Sequence, residues 1–332
     1  MGAKQTEIMK ESCSALHWIL SRVMAALLTT GVWAGQEPGI SHSAVGETAP
    51  STQRFATSNQ PHLTLEPKTF YSRGMRRVRS YGVVLPPNYA AEPQRRYPVI
   101  FFLHGGKGSQ RSWIDMGLLP VLGQLYQNGK LPPSIVILPD GNDNRSRVPK
   151  YDPYYFDGPY GKIGTMLGQD LPIEVTQKYR TVSDPNLWAM GGFSSGGWGA
   201  LNIGLHHLDR FHVFFSHMGY FTDRSGWRNS PQAFIRNFPI AQLKSLRIYL
   251  DAGQNDELSP RFLSSTRRFH RTLTQFQVLH QFNVFPGGHG RKGANFGWNY
   301  TRKNAVHSLT YVGEQFFEEV ALLQNRLHAK NP

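Results

Sequence analysis

The sequence predicts an α/β fold in which a mostly parallel central sheet carries helices on both faces. Three observations predict it. Short, continuous apolar runs of β type alternate along the chain with helical stretches, and strands that are apolar throughout belong to sheets covered on both sides. One such run turns sharply on glycines into a helix, at Trp188-Ala-Met-Gly-Gly-Phe-Ser-Ser-Gly-Gly-Trp-Gly-Ala-Leu201. The chain then closes on a helix whose Val306, Leu309, Phe316, Phe317, Val320, Leu323 and Leu327 are spaced for one apolar face.

Taken in order, the apolar runs place strands at Val78 to Leu85, Val99 to Leu103, Ile135 to Leu138, Leu187 to Met190, Val213 to Ser216, Arg247 to Leu250 and Phe282 to Phe285. Between them the pattern predicts helices at Leu118 to Gln127, Gly164 to Tyr179, Gly197 to His206 and Pro260 to Gln275. No internal repeat interrupts this order. A chain of 332 residues has ample length to bury a core, and residues 62–332 are expected to form a single α/β domain. Residues 35–61 are rich in Ser, Thr, Gly, Pro and Gln without hydrophobic periodicity, as in a flexible linker.

Residues 1–34 read as a signal peptide, with retention as an anchor the alternative. After Arg22, the apolar run Val23 to Val32 is too short to span a bilayer but suits the apolar region of an export signal. Small residues at Val32 and Ala34 predict cleavage after Ala34; Glu7 and Glu11 upstream make Met9 an alternative start. The expectation is a secreted or periplasmic protein with no stable membrane span in its mature form. Cys13, the only cysteine, would leave with the signal. The mature chain would then have no disulfide, thiol nucleophile or cysteine metal site.

The net charge of +14 is the one compositional outlier, and it suits an anionic or polymeric partner. Its cations fall in short groups such as Arg76-Arg77, Arg95-Arg96 and Arg267-Arg268 with Arg271, without a nucleic-acid-binding motif, so no nucleic-acid partner is expected.

The strand-turn-helix segment makes Ser194 a candidate nucleophile. A nucleophile elbow strains its serine, and the residues two before and two after must be nearly free of side chain so that strand and helix can approach. Gly192 and Gly196 meet that demand around Ser194, whereas Phe193 breaks it for Ser195. The helix that follows points its N-terminus at the place of a developing oxyanion, which makes the Ser195 backbone N–H one donor.

Catalytic groups in such a sheet sit on loops after the carboxyl ends of strands. The run Val99 to Leu103 leads into His104-Gly-Gly-Lys-Gly108, whose Gly106 N–H is the expected second oxyanion donor. The run Arg247 to Leu250 leads into Asp251-Ala-Gly-Gln-Asn-Asp256-Glu257. Asp251 lies too close to the strand to swing over; Asp256, at the tip, is the expected acid, with Glu257 second. Phe282 to Phe285 leads through Pro286-Gly-Gly288 to His289, the expected base. Among the thirteen histidines, His206, His207, His270, His280 and His307 lack metal-ligand spacing, and no catalytic metal is expected. Asp140, Asp143 and Asp152 share a polar loop that suits solvent better than calcium.

The order serine, acid, histidine is that of α/β-hydrolases. Leu103-His-Gly-Gly with Gly108-Ser and Trp113, Leu138-Pro-Asp-Gly141, Tyr154/Tyr155 with Asp157, Asp170-Leu-Pro172 leading to Tyr179-Arg180, Gly192-Phe-Ser-Ser-Gly-Gly197, Asp251 to Asp256 and Gly287-Gly-His289 together resemble one esterase family. It groups esterase D, feruloyl and acetylxylan esterases, siderophore esterases and the antigen 85 mycolyltransferases. Arg79 to Tyr89 is similar to its opening strand, and the resemblance runs from about Arg76 to Leu327.

That resemblance implies an α/β-hydrolase fold and a cofactor-free Ser194–Asp256–His289 hydrolase, with Gly106 and Ser195 as oxyanion donors, acting on an acyl or aryl ester of a sugar, polymer or siderophore. Two features depart from the family. Ser195 stands where a methionine or larger residue is usual, and Gly290 to Trp298 is longer and more basic than the usual segment. An acyltransferase on the same machinery and a non-catalytic wall-polymer-binding homologue are the competing readings.

Overall fold

The structure, a computed structural model, describes residues 63–145, 154–290 and 292–328. The expected signal peptide, the whole of the expected linker and Asp152 lie outside the described residues. The central sheet has eight strands: β1 (Leu65–Ser72), β2 (Arg77–Val84), β3 (Val99–Leu103), β4 (Ile135–Pro139), β5 (Trp188–Phe193), β6 (Val213–His217), β7 (Arg247–Gly253) and β8 (Leu279–Phe285). Their spatial order is β1-β2-β4-β3-β5-β6-β7-β8. The pairs β1/β2 and β2/β4 are antiparallel and all others parallel. The main helices are α1 (Leu118–Gln127), α2 (Leu171–Lys178), α3 (Ser195–Gly204), α4 (Arg261–Gln275) and α5 (Trp298–His328).

Every residue of β3, β4, β5 and β6 is buried, as the apolar spelling of β3, β4 and β5 and of Val213 to Phe215 in β6 requires. Alternation along β6 shows how both faces are covered. Phe214 and Ser216 point toward α3, where the ring and hydroxyl lie against Gly204 and Gly197. His217 points the other way and reaches Ser308 of α5. On that second side Trp113 meets the Phe102 ring at 4.8 Å and donates from Nε1 to the Leu103 carbonyl at 2.9 Å. This contact fastens the start of the loop after β3 to the core.

Two differences from the sequence reading have local causes. Strand β1 was not expected, because Leu-Glu-Pro-Lys-Thr-Phe-Tyr-Ser has no continuous apolar run; it is an outer strand with one covered face, paired along its whole length to β2. The helix expected over Gly164 to Tyr179 widens into a π-turn at Met166–Asp170 before α2. Pro172 has no N–H to close an ordinary helical bond there. Asp170 also spends its carboxylate on Ser72 Oγ (2.6 Å) and the Gly74 N–H (2.9 Å), tying the wide turn to the β1/β2 hairpin. No described helix is long and apolar enough to cross a membrane.

Replacing Trp113 by Ala should destabilise the fold by about 3–5 kcal/mol, since it opens a cavity on the sheet face against Phe102. Urea unfolding of Trp113→Ala beside the parent protein measures this; an unchanged midpoint would show that the contact does not hold the sheet.

Candidate active site

The turn between β5 and α3 is where strand, helix and neighbouring loop come closest. Ser194 has φ 57° and ψ −122°, a conformation that costs a non-glycine residue about 1–3 kcal/mol. A Cβ on Gly192 would lie 2.5 Å from the Gly196 backbone, and one on Gly196 would strike the Leu103 and His104 carbonyls, the latter at 2.5 Å. Both positions therefore admit only glycine. The Ser194 N–H donates to the His217 carbonyl at 2.8 Å, and the Ser194 carbonyl accepts from the N–H groups of Gly197 and Trp198. The strain is thus held from both sides, and the Ser194 side chain stands at the N-terminus of α3.

The loops after β7 and β8 bring Asp256 and His289 together. Asp256 Oδ2 accepts from His289 Nδ1 at 2.7 Å and from the His289 backbone N–H at 3.0 Å. Its Oδ1 accepts from the N–H groups of Leu258 (3.0 Å) and Ser259 (3.3 Å). Gly288, with φ 153°, makes room for this contact, because a Cβ there would meet Asp256 Cα at 2.6 Å. Burial alone would raise the Asp256 carboxyl. The His289 ring and the backbone donors outweigh it and hold the group below the usual carboxylate range. Since a carboxylate only accepts, Nδ1 of His289 carries a proton, and in the neutral imidazole the lone pair is on Nε2. Nε2 is buried without a hydrogen-bond partner. Phe262 and Phe193, the residue before Ser194, lie against the ring at 4.4 and 5.1 Å.

The glycine-rich loop after β3 packs on the same turn, with Gly105 so close that a Cβ would lie 2.8 Å from the Phe193 ring. Buried His104 fixes its conformation. Its Nδ1 contacts the Gly105 carbonyl at 2.8 Å and must donate, while its Nε2 accepts from the Gly141 N–H at 3.0 Å. A trans peptide points its C=O and N–H in opposite directions. Holding the Gly105 carbonyl toward buried His104 therefore turns the exposed Gly106 N–H away from it. Tyr155 Oη donates to the His104 carbonyl at 2.6 Å, bracing the loop from a second direction.

Sequence reasoning missed a second histidine–aspartate pair. His217 Nδ1 lies 2.6 Å from Asp251 Oδ2 and His217 Nε2 2.9 Å from Ser308 Oγ, with His217, Asp251 and Ser308 fully buried. Tyr300 donates to Asp251 Oδ1 at 3.0 Å; burial and the neighbouring carboxylate push its hydroxyl up, which keeps it protonated. Asp251 is committed here and away from His289. The only sequence signal was a polar residue ending each of two apolar runs.

The remaining candidates have other surroundings. The Ser195 hydroxyl is buried without a partner beside Ser194. Glu257 donates its backbone N–H to the His289 carbonyl at 3.1 Å, and its carboxylate lies over Gly290. The basic segment after His289 folds back, with Gly288 N–H on the Asn295 carbonyl and Gly297 N–H on the Gly288 carbonyl. Asp140 faces Arg79 at 3.7 Å and Asp143 pairs with Arg145 at 2.6 Å. Among the described residues no three His, Cys, Asp or Glu side chains converge as metal ligands.

A carboxyl held below its ordinary pKa stabilises the fold above the unfolded value, about 4, and loses that contribution as pH falls through the folded value. Asp256→Asn should therefore be about 1.5–3 kcal/mol less stable at pH 7, and the gap should close in acid. Urea titrations of both proteins across acidic to neutral pH test this; a gap independent of pH would show that the carboxylate's charge is not what stabilises the loop.

Residues 72–301 match the sequence profile of the family described as "Putative esterase". The chain is 26% identical over 252 residues to Esterase Rv1288 of Mycobacterium tuberculosis, covering 63% of this chain and 52% of that protein. It is 25% identical over 211 residues to an endo-1,4-beta-xylanase/feruloyl esterase of Xylanibacter ruminicola, covering 60% and 26%. The chain thus spans about half or less of the length of the curated relatives it matches. Among solved structures, a ferulic acid esterase superposes with TM-score 0.67 at 25% identity, covering 76% of this chain and 98% of that one. The S-formylglutathione hydrolase from Agrobacterium tumefaciens shares the fold, with TM-score 0.59 at 16% identity, covering 76% and 96%. The family profile covers more than half of the chain, so the chain belongs to this esterase family, and its sheet is that of the α/β-hydrolase fold.

Proposed function

We propose that the chain is an exported serine carboxylic-ester hydrolase that works through an acyl-enzyme. Ser194 Oγ attacks the ester carbonyl as His289 Nε2 takes its proton. The tetrahedral oxyanion is met by the backbone N–H groups of Gly106 and Ser195. Collapse expels the alcohol, which receives the proton from His289, and a water activated by the same Nε2 then releases the acid and restores Ser194. Asp256 holds the imidazole in the required tautomer and stabilises the imidazolium.

One observation carries this reading: a buried, unpartnered Nε2 whose opposite nitrogen is fixed on Asp256, one ring contact away from the strained turn at Ser194. The hydrogen bond between a nucleophile's hydroxyl and its base commonly tightens only when substrate is bound. We place the ester on a sugar, polymer or siderophore. Supporting that class are the aromatic surroundings, with Trp198 stacked on Tyr220 at 5.3 Å and half-exposed Trp298 at 5.2 Å from Phe193, and the feruloyl esterase among the relatives. Export rests on the apolar segment before Ala34 and gives a secreted or periplasmic location. The surplus positive charge fits an anionic carrier.

Hydrolysis of p-nitrophenyl acetate should be lost in Ser194→Ala, by about 10⁴-fold or more, in a variant that still folds. Turnover retained there would overturn Ser194 as nucleophile, and no turnover in either protein would favour a non-catalytic binding role. His104→Ala should lower kcat about ten- to hundredfold through a misdirected Gly106 N–H, with KM little changed. Unchanged kcat would remove His104 from the positioning of that loop.

A further inference from the structure

One helix carries a charge pattern that neither the fold nor the ester chemistry requires. The exposed face of α4 presents Arg261, Arg267, Arg268 and Arg271, and the helix contains no Asp or Glu. No carboxylate lies within ion-pairing distance of these four guanidinium groups among the described residues. The pattern opposes helix stability twice. Arg261 stands in the first turn, where the helix dipole favours anions, and Arg267 and Arg271 are like charges four residues apart.

The neighbouring segment extends the same sign. It packs on α4 through the Phe221–Phe269 stack at 4.4 Å and the Gln232–Thr272 hydrogen bond at 2.6 Å. It carries exposed Arg224, Arg228 and Arg236 against one acid, Asp223, whose carboxylate is taken by Ser225. Asp256 is engaged with His289, and Glu257 lies over Gly290, so neither neutralises the helix. The segment also holds Trp227, 58% exposed, with Arg228 over its ring.

The track has a direction. Phe262, next to Arg261, touches the His289 ring at 4.4 Å. From there the arginines run along the helix for about 15 Å. We propose that α4 is a docking track for an acidic polysaccharide, whose carboxylates lie along these arginines while an ester substituent on the same chain reaches Ser194. Unpaired guanidinium groups match carboxylates, and exposed Trp227, next to Arg228 on the segment packed against α4, offers an apolar face for sugar rings, which favours a polysaccharide over a nucleic acid or a lipid surface. This deepens the ester-hydrolase reading and rests on it for the reaction, though not for the binding.

The test uses partially O-acetylated polygalacturonate, neutral O-acetylated xylan and p-nitrophenyl acetate, with the parent protein and Arg267→Gln/Arg268→Gln/Arg271→Gln. The triple variant should raise KM for the acidic polymer about tenfold, leave kcat and the p-nitrophenyl ester unchanged, and recover with lysines at the three positions. Unchanged KM, or an equal rise on neutral xylan, would overturn the proposal. A second arm measures binding of polygalacturonate to Ser194→Ala with and without the three substitutions, at rising salt. Binding that ignores the substitutions, or binding to DNA or phosphatidylglycerol vesicles in preference to polygalacturonate, would also overturn it. Absence of all turnover with arginine-dependent polymer binding would instead leave the track standing and remove the ester-hydrolase reading.

Discussion

The site depends on one backbone approach: α3 leaves β5 so close to the end of β3 that Gly196 sits against the Leu103 and His104 carbonyls. That approach forces Ser194 into its strained conformation and determines what else can be nearby. The loop after β3 has to pass over the same point, and the contact of Gly105 with Phe193 brings the 105–106 peptide to the turn. Strain of this kind persists only where its surroundings over-determine it. Here the His217 carbonyl, the first N–H groups of α3 and the buried β5 core do so.

Two histidine–aspartate pairs divide the work around that point. His217 and Asp251 face each other on adjacent strands, wholly buried and tied to α5 through Ser308 and Tyr300. The carbonyl of His217 also receives the Ser194 N–H, so the inner pair connects the elbow to the last helix. His289 and Asp256 lie farther out on loops, and one imidazole nitrogen remains unpartnered. A pair with every atom satisfied rigidifies; in the outer pair Nε2 stays open to a further group.

Legibility in the sequence followed how local each signal was. The buried strands announce themselves because both faces demand apolar side chains, and Gly192 and Gly196 because a close approach admits nothing larger. The strand β1 was illegible since one-sided cover leaves a mixed spelling; at the π-turn Pro172 is a local mark, but the Asp170 bond to Ser72 that ties the wide turn down spans 98 residues of sequence. The positions of Ser194, Asp256 and His289 after strand ends could be anticipated from the sheet rule, and the three come to lie on adjoining loops. His217 could not, because its partners Asp251 and Ser308 are 34 and 91 residues distant and nothing local marks a polar atom as satisfied.

The same logic separates the constrained centre of the molecule from its adaptable rim. Every contact that fixes Ser194 is made by backbone or by buried side chains, so little there can vary without loss of the turn. The segment after β6 and helix α4 carry their arginines on the outside, where substitution costs the fold little. On the proposed reading, substrate preference is set on these elements while the turn at Ser194 stays intact. Helix α4 keeps Arg261 against its own dipole and Arg267 and Arg271 as like charges one turn apart, which its own stability does not call for. It lies beside His289, where a polymer held by its charge would bring its ester within reach.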